Sequence, residues 1–151
     1  MFNVILFQPE IPPNTGNIIR LCANTNSTLH LIEPLGFDID EKSLRRAGLD
    51  YYKHISLLSY QTIEECIVSL GDTRCFALST KKKKRYSEIK YIKNDTFIFG
   101  PETRGLPDSI LKSRTIKDVL KIPMYKDSRS LNLSNAVSIV IYEAWRQAQF
   151  S

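Results

Sequence analysis

A chain of 151 residues with 21 basic and 16 acidic side chains, a formal charge of +5 and 42 % hydrophobic residues has the size and make-up of one globular domain. A two-domain protein is excluded, and a core burying roughly 68–70 % of the unfolded surface needs no disulfide or metal to hold it. Six glycines, seven prolines and 25 % charged residues exclude collagen-like, low-complexity and disordered classes.

Taken in chain order, Asn3–Phe7 reads as a buried strand with no basic leader before it and no small-residue cleavage site after it, so secretion is not expected. A helix follows Pro12-Pro13, with Asn14 as the expected cap; Ile18, Leu21, Cys22 and Thr25 form its core stripe, and Asn17, Arg20 and Asn24 its polar face. Thr28–Ile32 is a second strand. Asp40-Glu41 opens a helix through Arg46 that Gly48 ends, and Glu64–Leu70 forms another, stopped by Gly71-Asp72. Strands are expected at Cys75–Leu78, Thr96–Phe99 and Val119–Ile122, with a short helix at Asp108–Lys112 after Pro107. From Leu133 the positions Ala136, Val137, Val140, Ala144 and Trp145 recur at three and four, with Ser130 or Asn132 as cap. Ile139 and Ile141 widen that stripe, and a helix apolar nearly all round calls for a second subunit against it. Strands alternating with helices give an α/β fold, a parallel sheet flanked by helices, as a single domain over residues 1–151.

No apolar run approaches the roughly 20 residues of a membrane span, since Ile139-Val140-Ile141 is halted by Tyr142-Glu143. Cys22, Cys66 and Cys75 sit in apolar patterns without zinc spacing, and read as reduced thiols of a cytoplasmic protein. His30 and His54 read as packed or surface residues, and no metal set is present. The run Lys81-Lys82-Lys83-Lys84-Arg85, with Lys42, Arg45 and Arg46 as a second cluster, is either a solvated surface or a polyanion contact. Neither a triphosphate loop nor a Gly-x-Gly-x-x-Gly is found.

Three polar segments each follow a strand and precede a helix: Pro9–Arg20, Phe99–Pro107 and Ile122–Ala136. In open α/β sheets ligands gather at the carboxyl ends of strands, so three such loops converging there would make one site. Gly100 and Gly105 permit close backbone approach, while Ser128, Ser130, Asn132, Ser134 and Asn135 offer neutral hydrogen-bonding groups suited to an uncharged nucleoside. Alone, the second segment is equally explained as a rigid connection with Glu102 paired to Arg104.

Taken together, Asn14-Thr15-Gly16-Asn17-Ile18-Ile19-Arg20, Phe99–Pro107 and Ser130–Gln147 closely resemble the three signature motifs of the SPOUT methyltransferases, and within them the enzymes acting on the wobble ribose of tRNA. The resemblance spans Val4 to Gln147, with departures concentrated in Lys81–Arg85 and at the carboxyl end. It implies an α/β fold whose carboxyl-terminal part is tied as a trefoil knot, a homodimer, and transfer of a methyl group from S-adenosyl-L-methionine to the 2′-hydroxyl of cytidine or uridine 34 in leucine tRNA isoacceptors, without a metal.

Carried over residue by residue, the resemblance implies a cofactor wall of Leu78, Ser79, Gly100, Glu102, Gly105, Ile122, Ser130, Leu131 and Asn135. Arg20, Tyr142 and Asn135 are the implied catalytic residues, and Asn14, Asn17, Arg20, Arg45 and Arg46 the implied tRNA contacts. A guanidinium keeps its proton in ordinary surroundings, so orientation and charge stabilisation suit Arg20 better than a base role. The base itself stays open. The competing readings are a 2′-O-methyltransferase of ribosomal RNA or another tRNA position, and an RNA-binding assembly factor without turnover.

Overall fold

The computed structural model describes residues 1–38 and 57–151. Six strands, β1 (Asn3–Phe7), β2 (Thr28–Ile32), β3 (Leu57–Tyr60), β4 (Cys75–Leu78), β5 (Thr96–Phe99) and β6 (Ile116–Leu120), form one sheet in the order β3-β2-β1-β5-β4-β6. Every pairing is parallel, so all carboxyl ends lie along one edge. The α-helices among the described residues are α1 (Pro12–Asn24), α2 (Ile63–Leu70), α3 (Asp108–Leu111) and α4 (Leu133–Gln147), and Tyr86–Glu88 forms one turn of 3-10 helix.

Strand side chains alternate between two covered faces, which is why the central strands read as unbroken apolar runs. Val4, Leu6, Phe97 and Phe99 pack with Ile18 and Cys22 of α1 and with Val137, Val140 and Ile141 of α4. Ile5, Ile98, Cys75 and Ala77 pack on the other face with Ile63 and Cys66 of α2 and Ile110 and Leu111 of α3. Helices therefore flank the sheet on both sides. The three cysteines are buried free thiols, pushed up to about 12 at Cys22 and Cys66 and about 11 at Cys75 by loss of water.

β1, β2, β4 and β5 coincide with the strands expected from sequence. The last strand does not: it spans Ile116–Leu120 rather than Val119–Ile122. It lies at the sheet edge, where Lys117 and Asp118 are tolerated because one side faces water. β3, at the opposite edge with Leu58 and Ser59 exposed, is absent from the sequence reading altogether. α1 begins at Pro12 with Ile11 at its cap position, so Asn14 is not the cap; its side chain is used elsewhere. α2 ends as expected, at Gly71 with φ +67°. α4 is capped by Asn132, whose side chain accepts from the amides of Ser134 and Asn135. The helix expected at Asp40–Arg46, with Lys42, Arg45, Arg46 and His54, lies outside the described residues. Among the described residues, no helix is long and apolar enough to cross a membrane.

His30 is packed in β2, with Nε2 3.3 Å from Asn3 Oδ1. Burial lowers its pKa from 6.5 to about 4, so between those values the unfolded chain takes up a proton that the folded chain refuses. Stability contributed by neutral His30 is complete above pH 6.5 and is lost as pH falls towards 4, at about 1.4 kcal/mol per pKa unit. Urea midpoints should drop between pH 7 and pH 5, and a His30→Gln variant should lose much of that slope.

Candidate active site

The carboxyl ends of β4, β5 and β6 and the start of α4 enclose an open cavity of about 240 Å³. Leu78, Ile122, Met124, Leu131 and Leu133 give it apolar walls, and Ser79, Thr80 and Ser130 add neutral hydroxyls. Its position is the one where doubly covered parallel sheets hold ligands. The turn Phe99–Leu106 forms one side. There Gly105 has φ +68°, a conformation that a side chain would strain, and its amide donates to Pro101 O at 3.0 Å. Gly100 is packed so closely that a Cβ would lie 2.4 Å from the Leu106 amide nitrogen.

The first polar segment reaches this wall through its back. Glu102 accepts from the amides of Glu10 at 2.8 Å and Ile11 at 3.0 Å, and from Asn14 Nδ2 at 3.2 Å. Glu10 returns the contact, its carboxylate accepting from Thr103 Oγ1 at 2.7 Å and the Thr103 amide at 3.1 Å. These Thr103 bonds hold the Glu10 carboxyl below the ordinary carboxylate range, with a smaller contribution from the Arg104 charge. Asn132 Nδ2 donates to Asn14 Oδ1 at 2.9 Å, joining the third segment to the first. One chain of hydrogen bonds thus ties all three loops, joining the first to the second and to the third across 88 and 118 residues of sequence.

Of the residues assigned to a cofactor wall, Leu78, Ser79, Gly100, Glu102, Gly105, Ile122, Ser130 and Leu131 all line this cavity. Asn135 is exposed in the first turn of α4, next to the lining residue Ala136, and is not itself part of the lining. The Glu102 carboxylate is spent on the entry to α1 rather than on Arg104: the amides of Glu10 and Ile11, just before the helix, and the Asn14 side chain in its first turn donate to it, and a negative charge is favoured at a helix amino terminus. Asn14 is buried, whereas Asn17 and Arg20 are exposed on the polar face of α1. Within the chain neither Arg20 nor Tyr142 lines the cavity; Tyr142 is 44 % exposed and meets Trp145 edge-on at 5.7 Å.

Sequence reasoning missed Glu10 and Thr103 as members of the clasp. No local signal marks them, because each owes its place to a partner about ninety residues away. Asn132 was expected as a cap and as one of the neutral hydrogen-bonding groups; the structure adds its bond to Asn14. Replacing Glu102 by Ala leaves two amides and the Asn14 side chain without an acceptor, at a cost of about 1–3 kcal/mol for each group kept from water. A fall in thermal midpoint together with weaker cofactor retention is expected for Glu102→Ala, with Glu102→Gln intermediate; thermal melts and ligand titration of both variants check it.

The cavity chemistry, apolar walls with neutral hydroxyls and with Lys81, Glu102 and Arg104 also in the lining, fits an adenosyl cofactor that carries an apolar nucleoside and a charged amino-acid end. Comparison with known proteins agrees with this geometry. A tRNA (cytidine(34)-2′-O)-methyltransferase of Saccharophagus degradans is 56 % identical over 151 residues, covering 100 % of this chain and 98 % of the relative. The enzyme of the same name from Escherichia coli K12 is 54 % identical over 147 residues, covering 97 % and 94 %. A solved structure described as giving insights into 2-OH methylation of C/U34 on tRNA superposes with a TM-score of 0.92 at 41 % identity, covering 100 % of this chain and 98 % of its own. The model of the SpoU rRNA Methylase family matches residues 1–142. With the motifs, the parallel sheet and the loop-built cavity in agreement, this chain belongs to the SpoU methylase family.

Proposed function

We propose that this protein transfers a methyl group from S-adenosyl-L-methionine to the 2′-hydroxyl of the wobble nucleotide, cytidine or uridine 34, of leucine tRNA isoacceptors in the cytoplasm, releasing S-adenosyl-L-homocysteine. The observation that carries the reading is the junction of three loops at one cavity, held by Glu102, Asn14 and Asn132. Named relatives at more than half identity support the position of the nucleotide.

Leu78, Ile122 and Leu131 would hold the flat, apolar part of the cofactor, with Ser79, Ser130 and the Gly100–Gly105 backbone supplying neutral hydrogen bonds. When bound, the cofactor supplies an electrophilic methyl group. The protein's part is to present the ribose oxygen in line with it, to exclude water, and to stabilise charge as the hydroxyl loses its proton. Arg20 is the proposed group for positioning the ribose or its phosphate and for charge stabilisation. Asn135 and Tyr142 are the proposed groups for orienting the hydroxyl or relaying its proton.

Arg20 stands on the exposed face of α1, about 9 Å along the helix from Asn14. We propose that a homodimer built on α4, with Tyr142 and Trp145 in the contact, brings Arg20 of one protomer to the cavity of the other. The carboxyl-terminal segment is proposed to carry the family's trefoil knot. Arg45 and Arg46 are proposed tRNA contacts. The function is tested by incubating the purified protein with labelled S-adenosylmethionine and total tRNA and mapping the labelled nucleoside. Label at the 2′-oxygen of nucleotide 34 in leucine tRNAs is expected; label elsewhere, or none, overturns the reading.

A further inference from the structure

The five-residue basic run is not one uniform patch. Lys84 Nζ lies 2.6 Å from Asp118, and Arg85 Nε lies 3.4 Å from Glu88. Their backbone is stitched to the residue after β6, with the Lys121 amide donating to Lys84 O at 2.8 Å and the Tyr86 amide to Lys121 O at 2.9 Å. At the other end the Lys81 amide donates to Ser79 Oγ at 3.3 Å. Lys81, Lys82 and Lys83 therefore form an exposed cationic turn held between two fixed points, and Lys81 lines the cavity.

The loop after β6 contributes a second feature at the same cavity. Ile122 and Met124 line the cavity, and the next residue, Tyr125, is 94 % exposed. A turn closed by the Ser128 amide on Tyr125 O at 3.2 Å fixes its backbone. Lys126 and Arg129, both exposed, follow it in the same loop, with exposed Asp127 between them. Single exposed apolar residues are ordinary. What distinguishes Tyr125 is its place: an uncovered aromatic face next to a cavity-lining residue, on a rim where Lys126, Arg129 and the Lys81–Lys83 turn outnumber the one acidic residue of the loop, Asp127. Unpaired nucleotides are recognised by that combination, a ring on which a base stacks and cations that meet its phosphates.

We infer that Tyr125 and the Lys81–Lys83 turn form a docking surface for single-stranded RNA at the cavity mouth, the tyrosine stacking on an unpaired base and the lysines meeting the adjoining phosphates. This rests on the proposed RNA substrate and deepens it: the surface selects a looped, unpaired segment over a duplex.

The test is direct binding of a synthetic anticodon stem-loop RNA to the full-length wild type, Tyr125→Ala, Tyr125→Phe and the Lys81→Ala/Lys82→Ala/Lys83→Ala variant across a salt series, with sedimentation of each protein. Tyr125→Ala should weaken binding about tenfold while keeping the salt slope, and Tyr125→Phe should restore it. The triple lysine variant should lower the salt slope by about 0.7 for each phosphate it no longer neutralises, roughly two phosphates in all. Wild type that binds the stem-loop, with Tyr125→Ala binding equally well, overturns this inference and leaves the proposed function standing. Wild type that binds no RNA overturns both. Dissociation of a dimer on Tyr125→Ala, with RNA binding by the remaining protein unaltered, assigns the ring to a protein contact and overturns the inference.

Discussion

Arg20→Ala should lower tRNA methylation by about 10²–10³-fold while S-adenosylhomocysteine binds as it does to the wild type. The magnitude follows from removing one charged group aimed at the oxygen where charge develops, a loss of that order where such donors have been deleted. The separation follows from the proposed role: Arg20 is exposed on α1, does not line the cavity of its own chain, and is proposed to meet the ribose or its phosphate at the partner's cavity rather than the cofactor. Arg20→Lys should recover only part of the activity, since an ammonium keeps the charge but not the planar fork that pairs with phosphate or ribose. Methyl transfer under saturating tRNA and calorimetry with S-adenosylhomocysteine, run on the same preparations, check both halves. Equal loss of catalysis and cofactor binding would move Arg20 into the cofactor pocket.

Gly100→Ala should abolish high-affinity cofactor binding with the fold retained. A Cβ there would lie 2.4 Å from the Leu106 nitrogen, 2.5 Å from the Gly105 carbonyl carbon and 2.9 Å from Gly105 Cα. All three are backbone atoms, so no flexible side chain can give way and the turn itself must shift. Overpacking of this kind costs about 1–3 kcal/mol, and the displaced turn is a cavity wall, so affinity should fall at least tenfold. Gly105→Ala meets no atom within 4 Å and carries only the strain of φ +68°, a cost of about 1–2 kcal/mol, so its effect should be the smaller. Circular dichroism and ligand titration of the two variants decide the order; wild-type affinity in Gly100→Ala would contradict the assignment of this turn.

The contrast between strands shows what the sequence could express. β1, β2, β4 and β5 are flanked by strands on both sides, and their largely apolar runs, interrupted in β2 by the buried His30, place them with their observed bounds. β3 and β6 are the edges; Ser59, Lys117 and Asp118 break their patterns, so one was missed and the other displaced. α4 was legible because its stripe is long and Asn132 caps it, whereas Asn14, also a good capping type, sits inside α1 and serves Glu102 and Asn132.

The candidate site follows the same division. The family resemblance implied Leu78, Ser79, Gly100, Gly105, Ile122, Ser130 and Leu131 as a cofactor wall, and all of them line one cavity. The reciprocal clasp of Glu10 on Thr103 and Glu102 on the start of α1 was not legible, because it depends on two turns meeting in space and no spacing along the chain encodes it. The same is true of Lys81–Arg85, where only the fold separates two paired cations from three lysines at the rim.

Titration calorimetry of the wild-type protein with S-adenosylhomocysteine tests most directly whether the loop-built cavity is a methyl-donor site. Saturable binding with one molecule per chain, lost in Gly100→Ala, is the predicted result; absence of binding to the wild type, or binding that Gly100→Ala leaves unchanged, would contradict it.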